Sequence, residues 1–224
     1  RAMPAEDPEA SFAFMGGDKM EAAAGVAPIV HYREVAFMGI VSVVKNLGKL
    51  TRIGRQIQAA MRDFAPDVVI PVDYADFNFR FILPYAKKEL RCPVIYYILP
   101  KLWAWRAGRI RQLRRYVDLG LSILPFETSY FSDRGLRTEY IGNPCVDAKL
   151  TYLAEHPEPV EREQMLLLVP GSRQSELRDN LPEMLAATAA YSQLGWRVVI
   201  AGAPGLTAAD YAPHLGKYSD TPIL

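Results

Sequence analysis

Short apolar runs alternate along the chain with segments in which hydrophobic residues recur every three or four positions. The runs lie at 11–15 (SFAFM), 67–72 (DVVIPV), 93–99 (PVIYYIL), 119–124 (LGLSIL), 138–141, 164–169 (QMLLLV) and 197–201 (RVVIA). Most are continuously apolar rather than alternating, the pattern of parallel strands covered on both faces. Helical spacing predicts helices over 43–64, 79–89, 107–115, 127–133 and 181–193. Strands that alternate with helices in this way predict an α/β fold with doubly wound parallel sheets.

The pattern breaks once, over 147–163, where HPEPVERE offers little to bury. That stretch reads as a linker between a domain over 1–146 and a second one over 164–224. The second has room for two βα units, too few to close a full nucleotide-binding sheet. With 50% hydrophobic and 23% charged residues among 224, disorder, collagen and coiled coil are excluded. The 26 basic and 25 acidic residues leave a formal charge of +1, so overall charge does not point to nucleic acid. Cys92, Cys145, His31, His156 and His214 stand at no informative spacing, which argues against a disulfide framework or a Cys/His zinc site and for a reducing compartment. No apolar run approaches the roughly 20 residues that span a bilayer, so a soluble or peripheral protein is expected. The chain opens at Arg1 rather than Met and stops at 221–224 as a new strand begins, so a fragment is expected.

Three strand ends carry candidate chemistry. After 67–72 come Asp73, Asp76 and Asn78, acceptors at the carboxyl end of a parallel strand, where ligands gather. A carboxylate there can act as a general base. Asp76 and Asn78 equally suit helix capping, whereas Asp73 is less easily a cap. After 164–169, Pro170-Gly171-Ser172-Arg173 opens a helix: free N–H groups and a guanidinium there suit a phosphate. The alternative is an ordinary turn with Ser172 as N-cap and Arg173 paired to Glu176. After 93–99, Trp103, Trp105 and Arg106 offer broad indole faces for a sugar or an acyl chain, or they simply pack in the core.

Charge is also segregated. Lys45, Lys49, Arg52, Arg55 and Arg62 occur without an acid between 45 and 62, while Val43, Leu47, Leu50, Ile53 and Ile57 recur at helical spacing. The apolar 35–41 segment precedes them, and together they read as an interfacial helix for anionic lipid. The alternative is a helix that buries its apolar stripe in the domain and solvates its charges. Arg106, Arg109, Arg111, Arg114 and Arg115 form a second acid-free cluster, without the interleaved aromatics of a nucleic-acid site.

Ala36-Phe37-Met38-Gly39-Ile40-Val41, Asp73 through Asn78, Leu102-Trp103-Ala104-Trp105-Arg106, Leu124-Pro125-Phe126-Glu127, Tyr140-Ile141-Gly142-Asn143-Pro144 and Leu168 through Arg173 stand in an order and spacing that resembles the bacterial lipid-A-disaccharide synthase family. The resemblance covers nearly the whole chain, and Trp-Ala-Trp with Leu-Pro-Phe-Glu is its most specific part. It implies a GT-B fold, two Rossmann-like domains facing a cleft, both incomplete here. It implies an inverting hexosyltransferase that joins UDP-2,3-diacylglucosamine to 2,3-diacylglucosamine 1-phosphate (lipid X), releasing UDP without a metal or other cofactor. By the same resemblance Asp73 is the base. Asp76, Asn78, Trp103, Trp105, Arg106, Glu127 and Asn143 line the acceptor side. Gly171, Ser172 and Arg173 hold the donor phosphates. Phe37, Met38, Val43, Val44, Lys45, Leu47, Lys49 and Arg52 then face the cytoplasmic side of the Gram-negative inner membrane, with a homodimer as a further expected partnership.

Three positions depart from the family pattern: Ala75 stands for a common proline, Leu99 for a common serine and Asn143 for a common histidine. The family's first strand with a Gly-Glu-x-Ser-Gly-Asp loop is expected before Arg1, and a Ser-Gly-Thr segment after Leu224. The chain as it stands is therefore expected to lack much of the UDP pocket and to be inactive. Rival readings are another two-domain UDP-sugar enzyme, such as a UDP-N-acetylglucosamine 2-epimerase or a lipid-II-forming transferase, or a non-catalytic nucleotide- or membrane-binding module. An epimerase needs no lipid-facing helix, so flotation with anionic liposomes separates it.

Overall fold

A computed structural model describes residues 6–34, 47–158 and 163–224. The chain divides into two compact units, Arg1–His156 and Pro157–Leu224. The first opens with β1 (Met15–Gly16), α1 (Asp18–Ala24) and β2 (Val30–His31), the two strands pairing in parallel. Of the strand expected over 11–15, only Met15 is in the ladder.

Helix α2 (Leu47–Phe64) buries Ile53, Gly54, Ile57 and Met61, spaced for one face. Gly54 is needed there: a Cβ would lie 2.4 Å from the Phe81 ring. The stripe that could have met lipid is thus partly spent on the core, since Ile53 and Ile57 belong to the main apolar cluster with Leu50 packed against it. Among the described residues no helix is long and apolar enough to cross a membrane.

Next comes α3 (75–88), built from three abutting pieces, Ala75–Phe77, a π-helical turn Asn78–Ile82, and Leu83–Lys88. It begins four residues before the periodicity suggested. The wide turn precedes Pro84, which has no N–H and whose ring crowds the carbonyl four residues back; opening the turn relieves both.

Strands β3 (Ile95–Tyr97), β4 (Leu119–Ser122) and β5 (Thr138–Tyr140) form a parallel sheet, with Ile95 beside Leu119 and Gly120 beside Thr138. The run 67–72 lies along β3 and meets it at Val69–Val94 and Val72–Tyr97. Val69 donates to Pro93 and Asp73 to Tyr97, but Pro71, between them, has no N–H to give, which leaves paired points instead of a continuous strand. Connections are α4 (Ile110–Tyr116), entered by a 3-10 turn at Ala107–Arg109, and α5 (Pro125–Ser132). Val94, Tyr96, Leu113, Phe131 and Leu136 centre the core they share.

Helix α6 (Pro144–Glu155) occupies the first part of the stretch read as a linker and buries no residue. Its start is written locally: Asn143 accepts from the Cys145 N–H at 3.0 Å and Pro144 sits in the first turn.

The second unit pairs β6 (Met165–Leu168) with β7 (Arg197–Ile200) in parallel. Helix α7 (Gln174–Gln193) starts seven residues before the predicted 181, and α8 (Ala208–Leu215) opens with a Thr207–Asp210 capping box. Leu177, Leu181, Leu185, Ile200, Tyr211 and Leu215 form the core. The QMLLLV run reads as buried on both faces, yet Met165, Leu167 and Val169 are exposed while Leu168 is buried. Among the described residues the apolar cluster of this unit lies on one side of its two-stranded sheet, through Leu168 and Ile200.

Candidate active site

The named residues of the first unit lie where parallel strands end. Asp73 and Tyr74 leave the 69–72 run with φ of 44° and 41°, consecutive left-handed residues without a glycine. Such a conformation costs ~1–2 kcal/mol per residue. It is held from inside. The Tyr96 hydroxyl donates to the Asp73 carbonyl at 2.7 Å, and Asn78 Nδ2 donates to the same oxygen at 2.7 Å. Tyr96 and Asn78 are 0% and 6% exposed. Two buried hydrogen bonds at ~0.5–1.5 kcal/mol each are of the order needed to offset that cost. Burial, with the charges of Asp73 and Asp76 adding and Asn78 and Arg109 opposing, pushes the Tyr96 phenol far above its ordinary range, so it stays a donor. The Asp73 side chain itself points out of this network: among the described residues its carboxylate has no hydrogen-bond or ion-pair partner, and the residue is exposed.

Neither Asp76 nor Asn78 is the N-cap of this helix. Position N-cap of α3 is Tyr74, with no side-chain bond. Asn78 serves the Asp73 carbonyl, and Asp76 Oδ1 accepts from Arg106 Nη1 at 2.8 Å and from Arg109. Arg106 lies over the Trp105 ring at 4.2 Å and Arg109 over Phe79 at 5.0 Å.

Trp103 is neither free nor core. Its Nε1 donates to Glu127 Oε1 at 2.9 Å, and its ring meets Phe126 edge-on at 5.1 Å. Glu127, at the start of α5, is 1% exposed, and Ser122 Oγ at the end of β4 lies 2.9 Å from its second oxygen. The buried carboxylate therefore fixes an indole that remains 41% exposed. Asn143 is engaged as the α6 cap. Trp105 is exposed.

In the second unit Gly171 has φ 126°, and a Cβ there would lie 2.5 Å from Glu176. The Glu176 carboxylate accepts from the Ser172 N–H at 2.8 Å and pairs with Arg173 at 3.2 Å. The Arg173–Glu176 pair of the ordinary-turn reading is present, but the N-cap position is Arg173 rather than Ser172. Gly171, Ser172 and Glu176, but not Arg173, border an open recess of about 500 Å³ at the ends of β6 and β7, shared with Asn180 and Gly202.

Leu47 and Arg52 are exposed and Lys49 half-exposed on the first turns of α2, while Phe37, Met38, Val43, Val44 and Lys45 lie outside the described residues. Among the described residues no group of three His, Cys, Asp or Glu side chains could hold a metal ion. Sequence reading missed Tyr96, hidden in an apolar run, and Ser122. Arg109 and Glu176 were visible only as members of a basic cluster and a local pair.

A family model described as Lipid-A-disaccharide synthetase matches residues 1–197. The lipid-A-disaccharide synthase of Myxococcus xanthus (strain DK1622) is 36% identical over 230 residues, covering 100% of this chain and 59% of that protein. That of Acidobacterium capsulatum is 36% identical over 210 residues, covering 90% of this chain and 50% of that protein. A solved UDP-GlcNAc 2-epimerase from Neisseria meningitidis, bound to UDP-GlcNAc, aligns with TM-score 0.47 and 13% identity over 92% of this chain and 60% of that chain. The chain spans 50% to 59% of the length of these two curated relatives.

Proposed function

Because the chain belongs to the lipid-A-disaccharide synthase family, we propose that it supplies the acceptor-activating and donor-phosphate groups of an inverting glycosyltransferase. The substrates are UDP-2,3-diacylglucosamine and 2,3-diacylglucosamine 1-phosphate. Asp73 takes the proton of the acceptor 6-hydroxyl as that oxygen bonds to the anomeric carbon of the donor. The bond from that carbon to the UDP oxygen breaks in the same displacement, and UDP departs with the electron pair. Arg173 and the N–H groups of the 171–173 turn meet the charge that develops on the leaving phosphate. Trp103, fixed by Glu127, and Trp105 give the acceptor apolar faces. Acylated substrates, and exposed Leu47 and Arg52 on α2, support work at the cytoplasmic surface of the inner membrane.

The observation that carries this reading is an exposed carboxylate without a partner among the described residues, at the end of the parallel 69–72 run, on a backbone held strained by two buried donors. In the full-length enzyme, Asp73→Asn is expected to lower transfer by at least ~100-fold, the scale of general-base catalysis, while UDP-sugar affinity changes less than twofold. Unchanged turnover removes Asp73 from the mechanism.

A further inference from the structure

Resting on the transferase reading, we propose that Arg106 and Arg109 are the subsite for the phosphate monoester of the acceptor sugar. Two guanidinium groups from the turn after β3 converge on one carboxylate oxygen of Asp76, at the first turn of α3. The trio carries one net positive charge, and an exposed one: the side chain of Asp76 is 67% exposed and that of Arg106 44%. Each guanidinium also lies over an aromatic ring, Trp105 at 4.2 Å or Phe79 at 5.0 Å, a cation–π contact that restrains it. A planar fork is the geometry that recognises phosphate in two parallel hydrogen bonds, and a monoester near neutral pH brings close to two negative charges. Asp76 brings only one. It holds the two cations together in the free protein and shares them with the stronger anion when the acceptor arrives.

Position supports the same assignment. Asp76 is three residues from Asp73, and the Tyr96 phenol that holds the Asp73 carbonyl lies within electrostatic reach of both Asp76 and Arg109. The base and the fork therefore share one edge of one sheet. A phosphate bound to the fork would tether the acceptor beside the carboxylate that must take its proton, which lowers the entropic cost of attack. An exposed ion pair contributes only ~0–1 kcal/mol, so removing Arg106 should leave the fold intact; Arg109, 26% exposed and over Phe79, keeps part of its packing in the Gln and Lys variants, and a melting curve of each variant separates folding from binding.

The test is a cycle of variant against substrate. Binding of 2,3-diacylglucosamine 1-phosphate and of its dephosphorylated form, both in detergent micelles, is measured by titration calorimetry to wild-type, Arg106→Gln and Arg109→Gln full-length enzyme. The wild type should prefer the phosphorylated form by at least tenfold. Each variant should lose most of that preference while its affinity for the dephosphorylated form and for UDP stays within twofold, and Arg109→Lys should recover part of it. Equal weakening toward both forms, or no weakening, overturns the subsite. Absence of sugar transfer by a wild type that still shows the preference counts against the reaction and not against the fork.

Discussion

At residue 73 the chain leaves the 69–72 run, bridged in parallel to β3, through two left-handed residues, Asp73 and Tyr74; at residue 171 it has left β6 and turns through one, Gly171. The first turn is held from beneath by Tyr96 and Asn78, both buried, and its charged side chain is presented outward. The second is held from the solvent side by Glu176, which occupies the Ser172 N–H and Arg173, the groups best suited to an anion. One turn is organised before a ligand arrives. The other is filled by its own carboxylate, and an incoming phosphate has to displace or share that partner. The supporting groups of a site thus decide whether binding begins from a ready or an occupied state.

The buried support beneath residue 73 should give the largest effects. Asn78→Ala is expected to destabilise the first unit by ~1–3 kcal/mol, since it removes a buried donor from the Asp73 carbonyl, and Tyr96→Phe by ~1 kcal/mol. On the proposed role of Asp73 as the base, both should lower kcat more than the acceptor KM in the full-length enzyme, because that carboxylate is displaced rather than removed. A melting curve and a kcat against KM split check this, and wild-type kcat in both variants would reduce the network to a structural feature.

At the second turn, Arg173→Ala should weaken UDP by roughly 10- to 100-fold, the equivalent of ~1.5–3 kcal/mol for charge-assisted hydrogen bonds. Glu176→Gln should act in the opposite direction and tighten UDP by up to ~5-fold, the scale of one exposed ion pair released. Calorimetric titration of UDP separates the outcomes: weaker binding in Glu176→Gln means that the carboxylate supports the turn instead of competing for it.

The smallest effect lies away from both turns. Asp118 accepts from Lys87 Nζ at 2.6 Å and from the Val94 N–H at 2.7 Å, pinning the entry to β3. Burial raises its pKa, but the Lys87 and Val94 hydrogen bonds and the Lys87 charge outweigh that and hold it below the ordinary carboxylate value. A carboxyl with a lowered folded pKa binds protons better in the unfolded chain. Its stabilisation is full above the unfolded value of about 3.9 and is lost as pH falls through the lower folded value. Since the side chain is 51% exposed, Asp118→Asn should cost no more than ~1 kcal/mol at pH 7 and flatten the loss of stability below pH 4. Denaturant melts across pH 2.5–7 measure it; an unchanged acid limb would exclude Asp118 from that loss.

Alternation of apolar runs with helical spacing was enough to place Asp73, Trp103 and Gly171 at strand ends, because the carboxyl ends of parallel strands are where side chains and free N–H groups meet solvent together. Local chemistry likewise set the Arg173–Glu176 pair, closed within three residues, whereas Asn143, given to the acceptor side by resemblance, caps a helix that the periodicity did not predict. Contacts that depend on strand register were out of reach. Asp76 meets Arg106 across 30 residues, Trp103 meets Glu127 across 24, and Tyr96 reaches Asp73 across 23. A tyrosine in an apolar run counts as one more hydrophobic position, and its hydroxyl acquires a purpose only when a neighbouring strand end stands over it. The face of α2 was likewise open to either lipid or core, and packing against Phe81 decided for the core at Gly54 and its neighbours. Periodicity reports which face is apolar, whereas what covers that face is set by elements distant in the chain.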